Sequence, residues 1–154
     1  MDDIDAVLTP ELIALQEPPP DAYACIEYLL DCAVEAGRVT DRDVALEAVL
    51  AREAETSPAV GKGVGLFHAR TEAVRRATVA FTRSSEGVPL GDADAEPATL
   101  LFMLLVPADE NGADDHLETL SSLSRALVHD EVRERLHDAE SPAEVRTALA
   151  EAIS

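Results

Sequence analysis

The stretch Thr99-Leu100-Leu101-Phe102-Met103-Leu104-Leu105-Val106 constrains this chain more than any other. After Thr99 it offers no polar side chain at either parity. A run this short and apolar on both faces predicts a central strand with helices covering both sides. Pro107 ends it. No apolar run approaches the roughly 20 residues needed to span a bilayer. No N-terminal segment joins a basic start to an apolar core. The sequence therefore predicts a soluble, cytoplasmic protein.

Charge narrows the function classes. Thirty-one acids face 12 bases, a formal net charge of -19 and a pI near 4.3. No basic stripe exists to meet nucleic-acid phosphates, and an anionic membrane would repel the surface. The chain is not a disordered acid, because 47% of it is apolar and its mean hydropathy is -0.01. The acids must coat a packed domain. Lys62 is the only lysine, against eleven arginines. Such a surface repels itself in dilute buffer, but in molar salt the Debye length falls to about 3 Å. The composition reads as that of a halophile's cytosolic protein.

Along the chain, residues 1–9 are acidic and expected to be loose at the start. Leu12, Ile13 and Leu15 form a short apolar piece, closed by Pro18, Pro19 and Pro20. Asp21 caps a helix to about Ala36, stopped by Gly37. Thr40 opens a second helix through about Ala54. Gly61, Gly63 and Gly65 let the backbone turn or come close to a ligand. Val64, Leu66 and Phe67 make a short strand that delivers His68 at its end. Thr78 to Thr82 reads as another strand, and Gly87 to Gly91 as a turn. After the acidic loop beyond Pro107, helices are expected from His116 to Val128, from Asp130 to Asp138 and from Ser141 onward, the last opened by Ser141, Pro142 and Glu144. Cys25 and Cys32 lie about two helical turns apart, too far for a disulfide. Helices, then strands, then helices predict an α/β (α+β) fold: a single layered domain over 1–154, with a mixed central sheet flanked by helices.

No phosphate-binding Walker loop, dinucleotide fingerprint or nucleophile elbow is present. No Cys/His set has zinc spacing. What remains is His68, after the glycine-rich strand, and His116, at a helix start where the dipole favours a neutral ring. Arg52, near the close of the second helix, could reach the same sheet edge. His129 and His137 lie in charged helical stretches and read as solvated. Composition and periodicity stop at a layered domain with a histidine site.

The order of short motifs goes further. Ala48-Val49-Leu50-Ala51-Arg52-Glu53-Ala54-Glu55, Gly61-Lys62-Gly63-Val64-Gly65-Leu66-Phe67-His68-Ala69-Arg70, Gly87-Val88-Pro89-Leu90 and His116-Leu117-Glu118-Thr119-Leu120-Ser121-Ser122-Leu123 occur in that order. Together with Leu8-Thr9-Pro10-Glu11-Leu12-Ile13, Ala36-Gly37-Arg38-Val39-Thr40 and the 101–107 strand they run in order along almost the whole chain. This pattern resembles the fructose/mannitol-type (type 2) enzyme IIA domain of the phosphoenolpyruvate-dependent sugar phosphotransferase system, including its nitrogen-regulatory relatives. The resemblance implies that His68 is the phosphorylated histidine, taking phosphate from phospho-HPr and passing it to a IIB component. It implies that Arg52 binds the phosphoryl oxygens, that His116 orients His68 or hydrogen-bonds the phosphoryl group, and that backbone amides of the glycine segment add donors. No metal or organic cofactor is implied. Alternatives are a regulatory protein-binding module controlled by His68 phosphorylation and a degenerate, inactive fold. Where the family usually has Thr-Gly this chain has Pro58-Ala59. Phe67 replaces a proline, which places a bulky ring next to the nucleophile.

The charge excess sets one measurable expectation. The melting temperature should climb steeply between about 0.2 M and about 2 M KCl as screening sets in. A flat melting curve across that range overturns the halophile reading.

Overall fold

The computed structural model describes residues 7–55, 58–90, 96–108, 118 and 121–153. Its centre is the strand that the apolar run predicts. Strand β5 spans Ala98–Pro107, and every side chain from Leu100 to Val106 is at most 1% exposed. Both its faces are therefore covered. The other strands are β1 (Ile13–Ala14), β2 (Ala59–Gly61), β3 (Val64–Thr71) and β4 (Thr78–Val88). The five-stranded sheet has the order β1-β4-β5-β3-β2. β3 runs parallel to β5, β4 runs antiparallel to it, and β1 and β2 close the edges. This mixed sheet with its helices is the α/β fold that the sequence predicts.

Register decides which side chains share a face. Val64 pairs with Leu100 and the ladder runs without interruption to Thr71 and Pro107. Alternation then puts Leu66, His68, Leu100, Phe102 and Leu104 on one face, and Gly65, Phe67, Ala69, Leu101 and Met103 on the other. Phe81 pairs with Phe102, and their rings pack tilted with centroids 4.9 Å apart. Such an aromatic pair is worth about 1 kcal/mol beyond its burial.

Helix α1 (Ala22–Glu35) begins where expected, with the Asp21 carboxylate accepting from the Ala24 amide at 3.0 Å. Cys25, Ile26, Leu29, Leu30 and Ala33 bury one stripe, and Gly37 leaves the helix at φ +76°. Cys25 and Cys32 are free thiols, and burial pushes Cys25 up to about 12. Helix α2 (Arg42–Glu55) starts later than expected. Asp41 is its cap, accepting from the Val44 amide at 3.3 Å. Thr40 is held instead by tertiary contacts: its amide and hydroxyl both donate to Ala73 O, at 2.7 and 3.0 Å. Residues 121–127 are helical, followed by α3 (Asp130–Asp138) and α4 (Pro142–Ile153). Ser141 caps α4 through the Glu144 amide at 3.3 Å. The loop expected to end at Asp115 lies outside the described residues beyond Ala108.

Three further boundaries differ from the sequence expectation for tertiary reasons. Val7 and Leu8 are buried, against the expectation of a loose start through residue 9, and residues 1–6 lie outside the described set. β3 continues past His68 to Thr71 because β5 offers a partner at every position. β4 continues through Gly87 to Val88 instead of turning. There the Glu17 carboxylate accepts from Ser84 Oγ at 2.7 Å and from the Ser85 amide at 2.9 Å, while Ser84 Oγ accepts from the Gly87 amide at 2.9 Å. These bonds and a register shift between Arg83 and Val88 carry the chain through what reads locally as a turn.

Arg83 ties α3 to the sheet. Its guanidinium donates to the carbonyls of Leu136 and His137 at 2.8 and 3.0 Å, satisfying helix-end acceptors that the helix itself leaves open. Arg83→Met should therefore lower unfolding stability by about 1–3 kcal/mol, read from denaturant melts in high salt. A change within a few tenths of a kcal/mol would mean that water replaces the guanidinium without loss.

Candidate functional site

His68 stands in the interior of β3, half-buried, on the face it shares with Leu66. The last turn of α2 brings Arg52 to it. Arg52, Glu53 and Val49 from the helix meet Pro58, Leu66, Phe67 and His68 around a crevice of about 10 Å³. The carbonyl of Pro58 accepts from the Leu66 amide at 2.8 Å and fastens the wall of the crevice to β3. That volume holds about one water molecule.

The electrostatics favour a neutral imidazole. Burial lowers the His68 pKa from 6.5, and the positive Arg52 lowers it further. A neutral ring keeps a nitrogen lone pair available as nucleophile. Burial also raises the Glu53 carboxyl above the ordinary glutamate value. Arg52 and Glu53 are both half-buried in the crevice wall.

The other expected site features divide. His116 lies outside the described residues. The glycine segment forms the β2–β3 hairpin, with Gly61, Lys62 and Gly63 at φ +92°, +59° and +76°. Gly63 O accepts from the amides of Thr99 and Leu100 at 2.8 and 3.1 Å. A Cβ on Gly65 would meet Leu90 Cδ1 at 2.9 Å. These glycines serve the turn and close packing. Gly63 precedes His68 by roughly 16 Å of extended strand, so its amide is not a donor there. Phe67 borders the same crevice as His68, but its ring is directed away. Consecutive strand residues face opposite ways, and its ring is 2% exposed in the core. His129 is exposed at the start of α3. His137 is exposed but not simply solvated. Its Nε2 lies 3.2 Å from Thr99 Oγ1, and burial, then Arg83, lowers its pKa. Among the described residues, no group of three His, Cys, Asp or Glu side chains is placed to hold a metal ion, and no helix is long and apolar enough to cross a membrane.

Residues 6–152 match the family described as "Phosphoenolpyruvate-dependent sugar phosphotransferase system, EIIA 2". The chain is 53% identical over 151 residues to the "PTS system fructose-specific EIIA component" of Haloferax volcanii, covering 98% of this chain and 97% of that protein. The crystal structure of the nitrogen regulatory protein IIA-Ntr from Neisseria meningitidis superposes with a TM-score of 0.85 at 32% identity, covering 95% of this chain and 98% of that one. The mannitol IIA of Escherichia coli in complex with phosphorylated IIB gives 0.78 at 26% identity, covering 94% and 97%.

The His68 environment fixes the sign of its titration. Its pKa by NMR should lie below 6.5, and Arg52→Gln should raise it, because one repulsive charge on the imidazolium is removed. The unfolded chain binds the proton first. His68 therefore contributes stability that is complete above about pH 6.5 and fades as pH falls below it. A His68 pKa above 6.5, or one lowered by Arg52→Gln, contradicts this electrostatic account.

Proposed function

We propose that this chain, which belongs to the EIIA 2 family of the phosphoenolpyruvate-dependent sugar phosphotransferase system, carries a phosphoryl group on His68 between two protein partners. The donor is a phosphohistidine on an HPr-like protein, and the acceptor is a IIB component. The observation that carries this reading is the pairing of His68 with Arg52 in one narrow crevice: a half-buried histidine, its pKa lowered towards the neutral ring, beside a guanidinium that can take phosphoryl oxygens.

The chemistry balances simply. A lone pair of the neutral His68 imidazole forms a nitrogen–phosphorus bond as the donor's own nitrogen–phosphorus bond breaks; the donor ring, protonated on its other nitrogen, leaves as neutral imidazole, and the phosphorylated His68 ring, which keeps its own N–H, takes over that positive charge. The second transfer repeats this in the direction of IIB. Little covalent chemistry is asked of the protein, so positioning and charge neutralisation dominate. Arg52 presents a planar fork that can hold two phosphoryl oxygens at once. His116, which the family pattern aligns with a second histidine, orients His68 or hydrogen-bonds the phosphoryl group. The sugar served is fructose, by kinship with the Haloferax relative. A second reading has one specific support. The likeness to the Neisseria nitrogen regulatory protein favours a role in which phosphorylation state, not onward transfer, is the output.

Incubation with phosphoenolpyruvate, enzyme I and HPr in high salt should add one phosphoryl group by intact mass, as an acid-labile, base-stable adduct. His68→Ala should abolish it. His116→Ala should remain phosphorylated, more slowly. Arg52→Lys should slow transfer despite keeping the charge, because the bidentate contact is lost. Onward loss of the phosphate to a IIB protein separates the transport reading from the regulatory one. Wild type that stays unmodified beside an active control IIA overturns both.

A further inference from the structure

The crevice holds one charged group that phosphoryl transfer as described leaves unused. Glu53 follows Arg52 in the last turn of α2, and both line the crevice with His68. Consecutive helix residues stand about 100° apart, so the cation and the acid border the crevice from different directions. Both are half-buried. Among the described residues neither takes part in an ion pair. Arg52 therefore does not neutralise Glu53, and its fork stays open for phosphate. Other acids with tertiary roles are satisfied. Glu17 accepts from Ser84 and Ser85, and Glu27 and Asp31 pair with Arg42 at the opposite end of α2. Hydrogen bonds push Glu17 below the ordinary glutamate range, whereas burial pushes Glu53 above it with no positive charge to offset the shift. On β3, packed against α2, the titratable and charged groups of the same face are His68 and, two residues on, Arg70.

We propose that Glu53 takes up a proton as His68 is phosphorylated and then donates a hydrogen bond to the phosphoryl group, so that phosphate occupancy of the site depends on pH. This rests on the phosphocarrier reading. The step balances: the donor's nitrogen–phosphorus bond breaks, that of His68 forms, and the Glu53 carboxylate becomes a carboxylic acid with one proton from water. The direction follows from electrostatics. A phosphoryl group bearing roughly two negative charges raises the free energy of a carboxylate beside it, so proton affinity rises on phosphorylation. By linkage, a protonated Glu53 favours phosphate equally. Occupancy therefore climbs as pH falls, until His68 protonates before it can accept. Arg52 attracts phosphate at any pH, and Glu53 makes the hold conditional.

The probe is the HPr-like donor from the same cells, phosphorylated through enzyme I in about 2 M KCl. Intact mass gives the phosphorylated fraction at equilibrium with that donor, for wild type and for Glu53→Gln. Glutamine keeps the shape and donates a hydrogen bond without needing a proton. The variant should favour the phosphorylated state about tenfold more than wild type at about pH 8, and this ratio should fall towards one by about pH 6. Titrations of the donor and of the phosphoryl group are common to both proteins and cancel in the ratio. Carbon NMR of the Glu53 carboxyl in wild type should show its titration moving up by at least about one pH unit when His68 carries phosphate. This second readout needs no variant and decides the matter whether or not Glu53→Gln folds. A ratio that stays constant with pH, or a Glu53 titration unmoved by phosphorylation, overturns the proposal and leaves the carrier reading intact. Wild type that takes no phosphate from an active donor overturns the carrier reading, and the role of Glu53 with it.

Discussion

The uninterrupted parallel pairing of β3 with β5 is the constraint on which the rest of the structure depends. β5 is apolar on both faces, so it can exist only inside the sheet with both faces covered. Once it is central, β3 has a partner at each position from Val64 to Thr71. Alternation along that strand then decides that the His68 imidazole and the Phe67 ring part company. A slip of one residue would bury the histidine and expose the phenylalanine. The chemistry of the site is thus set by the hydrophobicity of a neighbouring strand that carries no chemistry of its own.

A surface with so large an acid excess raises a separate demand. Repulsion among carboxylates opposes compaction, and the core must outweigh it or salt must screen it. Some acids are used locally: Asp21 and Asp41 cap helices, and Glu17 holds the second half of β4 through two hydrogen bonds that lower its own pKa. That stabilisation is present while Glu17 is ionised and fades as pH falls through its lowered pKa. Arginine rather than lysine supplies nearly every positive contact. Its fork reaches two acceptors at once, as Arg83 and Arg42 do, and a contact pair of that kind depends less on long-range attraction than a point charge does.

Legibility in the sequence followed the range of the forces involved. β5, α1 and α3 were readable because periodicity, burial and capping are local and agree with one another. The β4 extension was not, since its bonds come from Glu17, 67 residues away. The Thr40 boundary failed similarly, because Ala73 takes the hydroxyl that local rules assign to a helix cap. At the site, motif order pointed to Arg52 and His68, and the fold brings them together around one crevice. The glycines misled, because backbone freedom marks a hairpin as readily as a phosphate cradle.

Arg52 ties these threads together through the sign of its charge. On the phosphocarrier reading proposed above, three charge states matter around His68: the neutral ring, the imidazolium and a phosphohistidine whose phosphoryl group bears roughly -2 at neutral pH. A guanidinium raises the free energy of the imidazolium, which is the direction of the His68 shift. The same guanidinium lowers the free energy of a phosphorylated ring, whose oxygens would otherwise be half-buried without a counter-charge. Partial burial strengthens both effects by reducing the local dielectric. A single cation thus suppresses the protonated state that cannot act as a nucleophile and favours the state that holds phosphate. Its strength has to be bounded, however, because a phosphoryl group held too firmly cannot leave. A half-buried arginine at the end of a helix, open to water on one side, satisfies that bound better than a deeply buried one would.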